Sequence, residues 1–231
     1  MSIEKKGDTF GIRRCAFTLA EVLVTLGIIG VVSAMTVPSL MQNYQRQSYV
    51  AQLHKVYNEA QQAAQMVLTD TNAINLQEAG LTTDEAVDAW VKKYFKVVKE
   101  CGNKSSDCFA SGEYKRLNGS PMESIFKYGK NQYILASGTA IYAVASGGGM
   151  ITIYIDTNGK KGPNIIGRDV FPARIYNNGI MDDCACPELT DAPLTKEQRE
   201  TSYEDHCIAG KEGCWWGCFG KILNDNWQMT Y

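Results

Sequence analysis

Phe17–Leu40, FTLAEVLVTLGIIGVVSAMTVPSL, is a run of apolar residues with a single ionisable side chain, Glu21, four places from its start. At about 1.5 Å per residue this stretch gives roughly 36 Å of helix, enough to cross a bilayer core of about 30 Å. Before it lies a short leader carrying Lys5, Lys6, Arg13 and Arg14, and the first charge after it is Arg46. Positive residues on one side of a span are held in the cytoplasm, so the leader is predicted to stay inside and the remainder to be exported. A carboxylate near the start of a membrane helix costs on the order of 2.5–3.5 kcal/mol, so Glu21 needs a partner or a job.

Three readings compete for this stretch. A secretory signal would be cut near Val32-Ser33-Ala34, but its apolar core would exceed the usual length of roughly 7–15 residues and would contain Glu21. A plain single-pass anchor would leave Glu21 wet at the interface. A cut immediately before Phe17 would set a new α-amino group one helical turn from the carboxylate.

The third reading matches a known pattern. Arg13-Arg14-Cys15-Ala16 followed by Phe17-Thr18-Leu19-Ala20-Glu21 resembles the leader and mature start of a type IV prepilin or type II secretion pseudopilin. The resemblance implies cleavage between Ala16 and Phe17 by a prepilin peptidase, and N-methylation of Phe17. It further implies assembly through Phe17, Glu21 and Pro38, the last matching the proline that kinks the family's helix. This sequence departs from the pattern at Ala16, where the family usually has Gly. The implied partners are the peptidase, other pilin or pseudopilin subunits, an inner-membrane assembly platform, and membrane lipid before assembly. The implied location is the inner membrane, single-pass with the C-terminal domain outside the cytoplasm, and then a pilus or pseudopilus fibre.

The chain of 231 residues, 45% hydrophobic, has room for one globular domain behind the helix. The expected divisions are a removed leader, 1–16, an assembly helix, 17–40, and an exported domain, 41–231. Losing a leader with four basic and two acidic residues takes the formal charge from −2 to about −4. Such a balance gives no reason to expect a nucleic-acid partner. Cys15 would leave with the leader, and the seven remaining cysteines of an exported chain are better read as disulfides than as thiols.

Beyond Leu40, Tyr49, Leu53, Val56, Ala60, Ala63 and Val67 recur at spacings of three and four, one apolar stripe on a helix whose other face is rich in Gln. The helix is therefore predicted to run from Phe17 to about Leu68. A second helix is predicted to start at Thr83-Asp84-Glu85, with Ala86, Val87, Trp90, Val91, Tyr94 and Phe95 on its apolar side, lying between the long helix and a sheet. Cys101 and Cys108 bracket a short polar loop and are the expected local disulfide, stabilising by roughly 2–3 kcal/mol. Strand texture follows over Tyr133–Ala136, Thr139–Ala145, Met150–Ile155 and Arg174–Tyr176, and a terminal strand is drawn at Trp227–Tyr231. The predicted class is α+β: a long N-terminal helix, half transmembrane, packed on a small antiparallel sheet with a second helix and a disulfide-rich C-terminal region. The pilin resemblance implies the same architecture.

The loop from Asp156 to Asp169 offers hard oxygen donors in Asp156, Asn158, Asn164 and Asp169, with glycines that permit a tight path, as calcium prefers. The plainer alternative is that these side chains cap turns. The stretch also resembles a segment of many pilin-like proteins, and some pseudopilins bind calcium in a comparable loop. In the tail, Cys184, Cys186, Cys207, Cys214 and Cys218 with His206 could assemble zinc, but two disulfides among five cysteines fit an oxidising compartment better, in a connectivity that sequence leaves open. Trp215-Trp216 fill core or present an aromatic surface. No nucleophile motif or phosphate loop accompanies His54 or His206, so nothing positive supports an enzyme. The remaining alternative is a membrane-anchored or secreted binding module that uses the cysteine-rich tail for a ligand.

Overall fold

The long helix, α1, spans Leu19–Thr71 in the computed structural model, which describes residues 18–102, 104–122, 126, 129–184, 191–211 and 214–231. The chain divides into two compact units, Met1–Tyr44 and Gln45–Tyr231. Within the second, α1 buries Val50, Leu53, Val56, Ala60, Ala63, Ala64 and Val67, the predicted stripe with Val50 and Ala64 added and Tyr49 only half-buried. Its Gln face is not wholly idle, because the Gln61 Oε1 accepts the Met181 amide at 2.6 Å.

Helix α2, Asp84–Tyr94, starts at Thr83, whose hydroxyl accepts the Ala86 amide at 3.2 Å. Acidic Asp84 and Glu85 at its start and Lys92 and Lys93 at its end complement the helix dipole. Val87, Trp90 and Val91 are buried, and the Trp90 indole donates to the Ala63 carbonyl at 3.1 Å. As predicted, α2 touches both α1 and the sheet: beside that bond to α1, Asp84 Oδ1 accepts the Ala145 amide at 2.9 Å and Asp88 accepts the Tyr133 hydroxyl, and both helices bury apolar faces in the core that the sheet shares.

Six strands form one antiparallel sheet: β1 (Val97–Glu100), β4 (Gln132–Leu135), β5 (Ala140–Ala145), β6 (Ile151–Asp156), β7 (Val170–Ile175) and β8 (Met181–Asp182), neighbours in that order. Between β1 and β4 in sequence come a short helix α3 (Ser105–Cys108) and a separate two-stranded ribbon, β2 (Tyr114–Lys115) with β3 (Pro121–Met122). The edge strand β1 is exposed over Val98–Glu100 and its pairing with β4 is bulged between Val97 and Lys99. Ile151, Ile153 and Ile155 face the α1 side, as their alternation predicts. The opposite face is covered too. Phe109, Tyr114 and Phe126 build a second core over it, and the Cys101–Cys108 disulfide closes that layer. Both faces of β6 are therefore screened, with only Tyr154 partly exposed.

The C-terminal region departs most from expectation. Residues 227–231 form no strand, because Asn226 and Trp227 adopt φ of 52° and 60°, left-handed values that turn the chain out of an extended path. Trp227 instead stacks on His54 of α1, ring centroids 3.9 Å apart. Ahead of it lie α4 (Lys196–Ser202), a π-helical turn (Tyr203–Ile208) and α5 (Cys218–Asn224). Helix α4 opens on a capping box between Thr195 and Gln198.

Two adjacent carboxylates at the end of β8 hold this region together. Asp182 receives Arg199 from α4 in a two-pronged pair, Nε to Oδ1 at 2.9 Å and Nη2 to Oδ2 at 2.6 Å, and also accepts the Leu194 amide. Asp183 accepts the amides of Gly217, at 3.0 Å, and Gly220, and so caps the start of α5. Gly217 has a φ of 93°, and a Cβ there would fall 2.3 Å from the Ser202 carbonyl oxygen. No other residue fits.

Burial pushes the Asp183 carboxyl from its ordinary 3.8 up to about 7, against the pull of those amides. The folded state then binds its proton more tightly than the unfolded chain does. Its stabilising contribution is full below about pH 4 and is lost as pH rises through about 7. Asp183→Asn is therefore expected to flatten the fall in stability between those limits, measured as Tm against pH for the full chain in detergent; an unchanged slope would exclude this group as its source.

Candidate assembly and processing site

Helix α1 begins with a reciprocal cap. The Thr18 carbonyl accepts the first helical bond, from Val22 at 3.2 Å, and the Thr18 hydroxyl accepts the Glu21 amide at 3.2 Å. In return the Glu21 Oε2 accepts both the Thr18 amide and the Thr18 hydroxyl, each at 2.8 Å. Two backbone donors at the helix start, which water would otherwise have to satisfy, are thus closed off by side chains. The Glu21 Oε1 makes no hydrogen bond among the described residues, so the carboxylate has one oxygen left to meet a cation. Thr18 was absent from the sequence-derived site, although Thr-x-x-Glu ahead of an apolar run is a legible capping signal.

The following turns are self-sufficient as well. The Thr25 hydroxyl donates to the Glu21 and Val22 carbonyls, each at 2.9 Å, and the Thr36 hydroxyl to the Val32 carbonyl at 2.9 Å. Helix α1 continues through Pro38. With no N–H, Pro38 cannot bond the Ala34 carbonyl. Residues 18–44 are exposed throughout, and the helix is long and apolar enough to cross a membrane. Gly27 and Gly30 have open space where a side chain would stand. Ala16, Phe17 and the leader residues named above lie outside the described residues.

The loop between β6 and β7 brings the four predicted oxygen donors into one hydrogen-bonded turn system. The buried Asp156 accepts the Tyr114 hydroxyl at 3.0 Å and the Asn158 amide at 3.3 Å. Asp169, also buried, accepts the Asn164 amide at 2.8 Å and the Ile165 amide at 2.7 Å. Turn capping is thus present in full. Burial raises both carboxyls above their ordinary range, with Asp169 adding to the shift at Asp156. The Asn158 and Asn164 side-chain oxygens are buried and take no hydrogen bond. Among the described residues no group of three or more His, Cys, Asp or Glu is placed to hold a metal ion.

The cysteines sort into bonds. Cys101–Cys108 forms as expected, Cys207 joins Cys218, and Cys214 is also disulfide-bonded. Oxidised sulfurs cannot ligate zinc as thiolates, so the zinc alternative falls. Cys184 is buried beneath the tail, and Cys186 lies outside the described residues. Trp215 and Trp216 are half-buried with ring centroids 5.9 Å apart, and Trp216 approaches Tyr154 on the sheet face away from α1.

Residues 12–37 match the prokaryotic N-terminal methylation motif. That motif is the type IV prepilin and pseudopilin signature, a structural rather than catalytic family, and it implies processing by a prepilin peptidase and assembly with other pilin subunits. Motif and exposed apolar helix together fit a single-pass membrane-anchored pilin. Neither the curated proteins nor the solved structures contain a match to the chain.

The cap makes a direct prediction. Glu21→Gln retains a side-chain acceptor and is expected to keep the Thr18 and Glu21-position amides protected in hydrogen exchange of the full chain in detergent. Glu21→Ala removes the acceptor and should weaken the helix start by about 1 kcal/mol, roughly a fivefold loss of protection at the Thr18 amide. Equal protection in both variants would show that the cap does not form.

Proposed function

We propose that this chain is a minor subunit of a type IV pilus or of a type II secretion pseudopilus. A prepilin peptidase cuts it between Ala16 and Phe17 on the cytoplasmic face of the inner membrane and methylates Phe17. The globular unit stands outside the cytoplasm, and the subunit passes from lipid to a fibre through an inner-membrane assembly platform. The observation that carries this reading is the methylation motif over residues 12–37, whose residues 19–37 lie on an exposed apolar helix with Glu21 in its first turn. The C-terminal region of α4, the π turn and α5, built onto the sheet, favours a specialised subunit over the bulk one.

In the fibre the free oxygen of Glu21 meets the α-amino group of Phe17 on a neighbouring subunit. Each charge is costly alone in an apolar bundle, and pairing offsets that cost. Gly27, Gly30 and Pro38 let the helix pack closely or loosen locally as it exchanges lipid for other helices. Mass spectrometry of the mature protein is expected to find N-methylated Phe17 as first residue, with Glu21→Gln and Glu21→Ala both processed but both lost from fibres. A start at Met35 or an intact leader would overturn the reading, and normal incorporation of Glu21→Gln would remove the charge pair from it.

A second element concerns the loop between β6 and β7. Its two buried carboxylates and two unsatisfied amide oxygens suit calcium, since a carboxylate oxygen already accepting an N–H keeps a second lone pair. Asp156, Asn158, Asn164 and Asp169 would hold the ion, which would serve structure alone by neutralising carboxylates that burial disfavours. Saturating calcium is expected to raise the Tm of the full chain by roughly 5–10 °C, equivalent to about 2.7 kcal/mol at a hundredfold excess over Kd. Chelation should reverse the rise, and no shift in wild type would end the proposal.

A further inference from the structure

The four oxygen donors of the loop between β6 and β7 fall into two halves, and each half rests on a different wall. Asp156 and Asn158 belong to the first. The Tyr114 hydroxyl donates to Asp156 Oδ2 at 3.0 Å and accepts the Ala110 amide at 3.2 Å, two residues beyond Cys108. The Cys108 carbonyl oxygen itself lies 3.6 Å from the point where a side chain on Gly159 would begin. This half is thus seated on the layer that Phe109, Tyr114 and Phe126 build over the sheet.

Asn164 and Asp169 belong to the second half, and their wall is a disulfide. Residues 164–170 close into a turn in which Asp169 accepts the Asn164 and Ile165 amides and Gly167 donates to the Val170 carbonyl at 2.8 Å. A Cβ on Gly167 would fall 2.4 Å from Cys218 Sγ and 2.9 Å from Leu117 Cδ1. The sulfur therefore fills the space that any other side chain at this position would take. Cys218 is buried and bonded to Cys207 of the π-helical turn. Two sulfurs that are no longer bonded must move apart to ordinary contact distance, and on the side of Gly167 there is no room for that.

We infer that the Cys207–Cys218 disulfide is the brace that holds the Asn164–Asp169 half of the loop against the Asp156–Asn158 half, so that the four donors reach a calcium-binding arrangement only in the oxidised chain. The inference rests on the calcium reading of this loop. The bond forms when two cysteine thiols exchange with a disulfide-bearing oxidant, which takes up two electrons and two protons and leaves as two thiols. Oxidation comes first and the ion second. In a reducing compartment the loop is unbraced and holds calcium weakly, and after export the braced loop holds it. Groups standing behind metal ligands commonly carry roughly ten- to a hundredfold of a site's affinity, which sets the size of the effect. Calcium would then add stability only to chains whose tail is correctly closed.

Calcium titration calorimetry and site-resolved hydrogen exchange on the full chain in detergent provide the test. Cys207→Ser with Cys218→Ser is expected to weaken calcium binding by at least roughly tenfold. Without calcium, the same variant should exchange its Asn164 and Ile165 amides roughly tenfold faster while Ile153 on β6 stays protected. Wild-type affinity and wild-type exchange at Asn164 and Ile165, with Ile153 protected, overturn the brace. Should the paired variant fail to fold, Gly167→Ala decides, because it leaves every cysteine in place and sets a methyl group against Cys218 Sγ. Faster exchange at Asn164 and Ile165 with weaker calcium binding then supports the brace, and unchanged values overturn it. A wild-type chain that binds no calcium overturns the ion reading instead, and the exchange rates show separately whether the disulfide holds the loop.

Discussion

Inside a bilayer no water is available to complete a hydrogen bond, so each polar group of residues 18–40 must find its partner within the helix or in another helix. The sequence meets this demand locally. Thr18 and Glu21 close each other's donors, and Thr25 and Thr36 fold their hydroxyls back onto the preceding turn. What stays unmet among these residues is specific: one oxygen of Glu21, the Ser33 and Ser39 hydroxyls and the carbonyl opposite Pro38. All of them are answered better by a second helix than by lipid. The demand for satisfaction thus makes the helix acceptable to the membrane and leaves it reasons to depart.

On the proposed reading Glu21 has two roles at two stages. In the single chain its carboxylate is a helix cap, a local device that any exposed helix start would favour. In the proposed fibre the same group would be the charge that meets an amine. Charge and hydrogen-bond acceptance are separable properties, since glutamine keeps one and loses the other.

Helix α1, α2, the central strands and the Cys101–Cys108 bond were legible because their signals are local: a stripe at spacings of three and four, a Thr cap, alternating isoleucines, and a short loop between cysteines. The C-terminal region was not, because its determinants are distant in sequence. Helix α5 starts where Asp183, 34 residues earlier, supplies the acceptor for Gly217. The path of residues 227–231 is fixed by Trp227 lying on His54, a contact that no window of local sequence contains. Only the capping box of α4 was readable, at Thr195 and Gln198. At the loop between β6 and β7 the residue types were visible in advance, while the orphaned Asn158 and Asn164 oxygens and the neighbouring Lys115 required the fold.

The sheet has two edges, and neither invites company. On one side β1 is short, bulged, and carries Lys99 and Glu100 on exposed backbone; on the other, β8 is two residues long and its Met181 amide is already taken by Gln61. Blunted edges of this kind resist the addition of strands from other chains. A subunit concentrated in a membrane and stacked in a fibre, as proposed above, would thereby be steered away from amyloid-like growth. On that proposal, order in the stack would be left to the helix, which can let go again, and kept from the sheet, which could not.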